Sequence, residues 1–396
     1  MEITLNVYYT IAIAVLILMV GEFVKKRCEI LRRFCIPVPV IGGLLFTLIL
    51  TVLTVSGVLS LTIDKSFNDF FSLLFYAGVG YTASWTLLKK GGPQVLLFLA
   101  LSAVLVLMQD GLGVALCHAM NIDPLIGLAT GSIPMVGGHG TSAAWATELE
   151  EAGLAAATTI SLAAATFGLV AGSLVGGPVG RFLVDHYHLK PNPAAQSMIM
   201  GDDHVEAKPE INEKRLTSAA YQMLITIAVG SFISAVLKKT GMSFPASVGA
   251  MTAAAIFRNI ADHNKKIDLK LPEISIISNV SLLIFLALSM MTLKLWQLAD
   301  LALPMLVLLL AQVALIVLFA IFINFPLMGK NFDAAVTTVG LCGFGLGAVP
   351  TAMANMRSVE EQYGRSPNAF FIVPLVGSLG INVVNTFIIT GFLNFL

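Results

Sequence analysis

Apolar positions run along this chain in blocks, not as a one-sided helical stripe or a strand alternation. Six blocks, near 8–24, 37–59, 70–88, 94–118, 122–146 and 153–183, are followed by six more near 217–237, 244–261, 274–296, 303–327, 332–356 and 368–396. Several approach the roughly 20 residues that a helix needs to cross about 30 Å of hydrocarbon. The expected fold is therefore all-α and polytopic. Between the two sets lies one long polar stretch, 184–216, whose "KPNPAAQS" and "GDDHVEAKPEINEKR" read as a linker outside the bilayer.

Composition agrees with the pattern. Hydrophobic residues make up 57% and charged residues 12% of the chain, and mean hydropathy is +0.87, whereas a soluble domain carries about a quarter charged residues. The formal charge of zero argues against a nucleic-acid partner. Lys25, Lys26 and Arg27 follow the first apolar run instead of preceding it, so that run is not expected to be a signal peptide. Cys28, Cys35, Cys117 and Cys342 form no CxxC pair, which predicts neither a metal centre nor a disulfide framework.

The two sets match at a constant offset of 210 residues. "NIDPLIGLATGS" (121–132) faces "NFDAAVTTVGLC" (331–342), and the same offset pairs Thr141 with Thr351 and Glu150–Glu151 with Glu360–Glu361. Upstream, "LLFYAGVGYT" (73–82) faces "LIFLALSMMT" (283–292). One unchanged offset across separated regions points to an internal duplication, with 1–183 as the first repeat and 217–396 as the second. Paired halves are a common plan of secondary transporters.

Orientation follows from Lys and Arg, which accumulate on the cytoplasmic side. If the fifth block of each half dips in and returns, all of them but Lys65, Lys238, Lys239 and Lys294 fall on one side. If both blocks cross, the two sides come out nearly equal. The expectation is ten crossings, five per half, with the 184–216 linker cytoplasmic and both termini outside. Five is odd, so the second half enters inverted. Re-entrant hairpins at 122–147 and 332–357 then approach the midplane from opposite faces.

Both hairpins carry helix breakers where their arms meet: Gly131, Pro134, Gly137, Gly138 and Gly140 in the first, and Gly340, Gly343, Gly345, Gly347 and Pro350 in the second. Non-helical backbone survives at membrane depth only inside protein or beside a watery cavity, and glycine lets backbone groups approach a solute closely. Thr141 and Thr351 are read as N-caps of the outgoing arms. Two helix N-termini would favour an anion, and carbonyls where the incoming arms end suit Na⁺.

These residues resemble the bacterial sodium/glutamate symporters. The likeness runs through "IPVPVIGGLL" (36–45), "GGHGTSAAWA" (137–146), "ATFGLVAGSLVGGPV" (165–179), "LKLWQLADLALPML" (293–306) and "CGFGLGAVPTAMANM" (342–356). The resemblance implies Na⁺-coupled uptake of L-glutamate across the bacterial inner membrane. It also implies a homodimer in which a scaffold, with helices near 8–59 and 217–261, holds a mobile part containing both hairpins. No cofactor is expected beyond Na⁺ as the coupling ion; the membrane partners are L-glutamate, Na⁺ and lipid.

The candidate substrate residues are Gly137, Gly138, His139, Gly140, Thr141, Ser142, Gly345, Gly347, Thr351, Asn355 and Asn382. The candidate sodium ligands are Gly131, Ser132, Cys342, Gly343, Asp110 and Asn385. Each has a bland alternative. Ser132, Thr141, Ser142 and Thr351 either contact solute or ion, or merely cap helices or bond to the preceding turn. His139 is either a tip contact or a packed polar residue. Asn382 and Asn385 either line a cavity or join helices. Asp110, an ionisable group at depth, either holds a cation or pairs within the bundle. Asp123 and Asp333 open the hairpins as expected caps.

Other classes fit less well. An enzyme needs a nucleophile–base pair or metal ligands, and His139 with Ser142 has no visible third member. A channel filter is usually assembled around an axis, not from two inverted tips in one chain. Within transporters, the runner-up is a Na⁺-coupled symporter of another carboxylate, such as aspartate or citrate.

Overall fold

The computed structural model describes residues 2–34, 36–58, 60–64, 66–191, 211–239, 245–264, 267–293 and 301–396. Most of the 184–216 linker, together with Lys65 and Lys294, lies outside them. The long apolar runs form the long helices, even where Ala157–His186 carries Pro178 and several glycines inside it. Among the described residues six are long and apolar enough to cross a membrane: Val7–Arg27, Gly92–Met120, Ala157–His186, Glu213–Val236, Leu271–Met291 and Ala302–Leu327. A seventh is added if Pro367–Ser378 and Ile381–Phe395, bent by 40°, form one span. The bend follows Pro374 and holds a π-helical turn at Val376–Gly380, since proline removes one backbone donor and crowds the preceding turn.

One small departure from the all-α expectation is a parallel pair of strands, Glu2–Leu5 with Ser60–Ile63, in register Glu2 to Ser60. Each strand has four residues, too few for an alternation to stand out beside an apolar block.

The chain divides into two compact units, each drawing on both sequence halves. The first comprises 1–81, 139–163 and 214–306; the second comprises 82–138, 164–213 and 307–396. In the first, helices meet at backbone distance. A Cβ on Gly42 would stand 2.0 Å from the carbonyl oxygen of Ile17, and one on Gly80 would stand 2.2 Å from that of Met251. Val40, Ala143, Leu162, Phe285, Leu286 and Met290 form a buried cluster. The hydroxyl of Thr47 donates to the Met290 carbonyl at 2.8 Å. Arg215 forms a two-pronged pair with buried Glu273, at 2.5 and 3.2 Å.

In the second unit, the part of Ala157–His186 that it contains presents glycine at every fourth position. Gly168 and Gly172 lie against the carbonyl oxygens of Leu346 and Gly343, Gly176 against Asn355, and Gly180 against Val339 and Val359. Residues four apart share a helix face, so this bare stripe lets Phe332–Leu346 and Val349–Tyr363 pack at backbone range.

Candidate functional site

Both candidate hairpin segments are interrupted helices. The first enters as Pro124–Ala129, which Asp123 caps by accepting from the Leu125 N–H at 2.9 Å. It packs on Gly92–Met120 so tightly that a Cβ on Gly113 would sit 2.4 Å from the Gly127 carbonyl oxygen. The arm breaks at Thr130–Gly131 and resumes as Ser132–Met135. The second arm, Phe332–Leu346, runs unbroken to Gly347 and is followed by Val349–Tyr363. A Cβ on Gly343 would stand 2.3 Å from the Ala352 Cα, which sets how closely the two arms touch. Gly138, at φ +61, lies so near the second break that a Cβ there would stand 3.1 Å from the Gly347 carbonyl oxygen. Within the second unit the turn at Gly138 therefore meets the second break.

The cap expectations need correction. Thr141 and Thr351 are not N-caps, because their helices begin earlier, at Gly138 and at Val349. Pro350 occupies the first turn of its helix, where a missing N–H costs nothing. Asp333 is not a cap either. Asn331 caps the second arm through the Ala334 N–H at 2.8 Å, and Asp333 accepts from Ser366 Oγ and Asn368 Nδ2 at 2.6 and 2.9 Å.

The first break is filled by a carboxylate. Asp110 is fully buried. Its Oδ1 accepts from the Ser132 N–H at 2.7 Å, and its Oδ2 lies 2.8 Å from Ser132 Oγ. Asn385 Oδ1 lies 2.6 Å from the same hydroxyl, and Asn385 Nδ2 donates to the Ser132 carbonyl at 3.3 Å. A Cβ on Gly131 would stand 2.6 Å from Asp110 Oδ1, so only glycine admits the carboxylate here. Asp110 makes no ion pair among the described residues.

The second break is held by residues that the sequence reading did not single out. Gln109 Nε2 donates to the Gly345 carbonyl at 2.8 Å, and Gln312 Nε2 donates to the Gln109 carbonyl at 2.8 Å. Both glutamines are fully buried. Neither Gln109 Oε1 nor Gln312 Oε1 has a partner among the described residues. A buried, unpaired acceptor costs about 1–3 kcal/mol. The signal available in sequence was a glutamine inside each of two apolar helices.

The remaining candidates fall out as follows. In the second unit, Thr351 is buried and its hydroxyl has no partner among the described residues. Asn355 donates to the Gly172 carbonyl at 2.8 Å, so its amide is engaged in packing. Cys342 is fully buried beside Gly343, and the Asn382 carbonyl accepts from Thr386 Oγ1 at 2.9 Å. Gly137 lies in the turn ahead of Gly138. The chain passes into the first unit after Gly138. There His139, Thr141 and Ser142 are buried, and Gly140 rests on the ring of Phe75. The hydroxyl of Ser142 and the indole nitrogen of Trp145 have no partner among the described residues. Bonding to the preceding turn thus does not account for Ser142 or Thr351.

Apolar helices of membrane length around broken helices whose backbone meets buried polar side chains define an integral membrane transport protein. Residues 3–365 match the family model for sodium/glutamate symporters. The sodium/glutamate symporter of Haemophilus influenzae is 38% identical over 392 residues, covering 97% of this chain and 96% of that protein. That of Escherichia coli strain K12 is 39% identical over 388 residues, with 97% and 96% covered. The chain belongs to the sodium/glutamate symporter family, whose members are transporters and not enzymes.

Proposed function

We propose that this protein carries L-glutamate into the cell together with Na⁺, and that Na⁺ binds at the first break, between Asp110, Ser132 and Asn385. The observation that carries the cation site is a count of protons. Ser132 Oγ has one hydrogen and stands close to two acceptors, Asp110 Oδ2 at 2.8 Å and Asn385 Oδ1 at 2.6 Å. An ionised carboxylate only accepts, and the bond from Asn385 Nδ2 to the Ser132 carbonyl sets which way the amide points. With Asp110 ionised, one of the two contacts lacks a proton. A cation satisfies three converging oxygens and balances the buried negative charge in one step.

The rest of the reading is an inverted-repeat transporter in the inner membrane, with ten crossings, two re-entrant hairpins, both termini periplasmic and a cytoplasmic linker. Several matched features support the duplication. Under the 210-residue offset, 1–81 corresponds to 211–291, and both lie almost wholly in the first unit. Glu150 accepts from Thr158, and Glu360 accepts from the Ser366 N–H, so each acid ties its arm to the start of the following helix. The helices 8–59 and 217–261 expected of a scaffold share the first unit. The unpaired hydroxyl of Thr351, in the first turn of a 15-residue helix, favours a carboxylate near that N-terminus. Na⁺ at the first break pre-sets the glutamate seat, since a ligand shifts an equilibrium only through differential affinity. The loaded transport part then moves against the scaffold of a homodimer and opens inward. With glutamate at charge −1, two or more Na⁺ make the cycle electrogenic, gaining about 2.3 kcal/mol per net charge per 100 mV.

The test is uptake of labelled glutamate into proteoliposomes under separately imposed Na⁺, Li⁺ and H⁺ gradients. A Na⁺ gradient alone should drive accumulation. Accumulation on a proton gradient alone would overturn the sodium assignment, because a proton on Asp110 satisfies the same count of hydrogens. Stronger competition by aspartate or citrate than by glutamate would move the substrate to another carboxylate.

A further inference from the structure

Gln109 and Asp110 are consecutive residues of one helix, Gly92–Met120, yet they hold different breaks. The Asp110 carboxylate takes the Ser132 N–H of the first, and the Gln109 amide gives a hydrogen to the Gly345 carbonyl of the second. Neighbours on a helix point about 100° apart, so one turn of backbone addresses both hairpins at once. Gln312 braces that turn by donating to the Gln109 carbonyl. All of these residues lie in the second unit and are almost completely buried, so neither bond is exchanged for one to bulk water at low cost.

We infer that Gln109 is the positioning residue that couples the two tips: a shift of the Asp110 turn on cation binding is carried by the Gln109 amide to the Gly345 carbonyl, and so to the glutamate seat. Gln109 touches neither solute in this account; it sets how strongly Na⁺ raises glutamate affinity. The inference rests on the cation site proposed at Asp110. Loss of a buried hydrogen bond that leaves a carbonyl unpaired corresponds to about tenfold in an equilibrium constant.

The experiment measures two quantities on purified, full-length protein: the sodium-induced rise in melting temperature without glutamate, and glutamate affinity at low and saturating Na⁺. In Gln109→Met the thermal response to sodium should stay within about threefold of wild type in midpoint, while the sodium enhancement of glutamate affinity falls about tenfold. Gln312→Met, which removes only the brace, should show the same split at smaller amplitude, and is the readout if Gln109→Met does not give monodisperse protein. Wild-type enhancement in the variant measured would overturn the inference, as would parallel loss of the sodium response and glutamate binding, which marks a merely structural bond. A wild-type protein without any sodium response would instead sink the cation site itself.

Discussion

The two hairpin segments align residue for residue at one offset, yet their breaks are built from opposite chemistry. In the first, the incoming arm is cut at Thr130–Gly131 and the exposed group is a donor, the Ser132 N–H, met by the Asp110 carboxylate. In the second, Phe332–Leu346 runs uncut and the gripped group is an acceptor, the Gly345 carbonyl, met by the Gln109 amide. A buried carboxylate beside further oxygens calls for a cation, whereas an amide donor calls for none. The two breaks thus differ in the group they present, and the cation proposed above belongs to the first of them.

The largest expected effect falls on the first break alone. Replacing Asp110 with Ala removes two charge-assisted contacts, each worth about 1.5–3 kcal/mol. The sodium concentration for half-maximal uptake in proteoliposomes should rise about a hundredfold or more. Gly131→Ala should follow, because its methyl group would collide with Asp110 Oδ1 at 2.6 Å, and we expect the same sodium midpoint to rise about tenfold. Gly347→Ala, at the other break, should do less. A Cβ there meets Leu169, at 3.0 Å from Cδ2 and 3.1 Å from Cα, so the strain falls on packing at the second break and not on the proposed cation ligands. Equal effects of the two alanines on the sodium midpoint would erase the contrast.

Smaller effects separate folding from transport. Asp123→Ala and Asn331→Ala each remove an N-cap, which costs about 1 kcal/mol. Both should lower the melting temperature by similar amounts and leave the sodium midpoint unchanged. A cap variant that alters the sodium midpoint would mean that the arm's entry point, and not only its break, takes part in ion binding.

Much of this was legible in the sequence, for identifiable reasons. Long apolar runs form helices because few of their side chains compete with the backbone ladder, and even Pro178 does not end Ala157–His186. Of the residues expected to break the arms, Gly131 and Gly347 stand at breaks, whereas Gly340, Gly343 and Gly345 lie inside Phe332–Leu346, Pro134 inside Ser132–Met135 and Gly140 inside Gly138–Glu151. Asp110 stands out as an ionisable residue in an apolar run, and its bonds to Ser132, which Asn385 also meets, join three candidates already named. The expected helix starts lie two or three residues too late, because Gly138, Gly140 and Pro350 serve first turns where breakers are expected. The glycine stripe of 168, 172, 176 and 180 passed unread, since its meaning depends on the arm packed against it. Gln109 is visible only as a polar residue in an apolar run; its partner, Gly345, lies 236 residues away, and no local pattern announces a contact of that range.

The cation at the first break is the claim on which the account turns, and a density map of the protein in lipid nanodiscs with sodium and glutamate tests it most directly. The account predicts an ion peak coordinated by Asp110 Oδ2, Ser132 Oγ and Asn385 Oδ1 that disappears when sodium is replaced by choline. A map of equal quality with sodium bound elsewhere, and Asp110 still hydrogen-bonded only to Ser132, would contradict it.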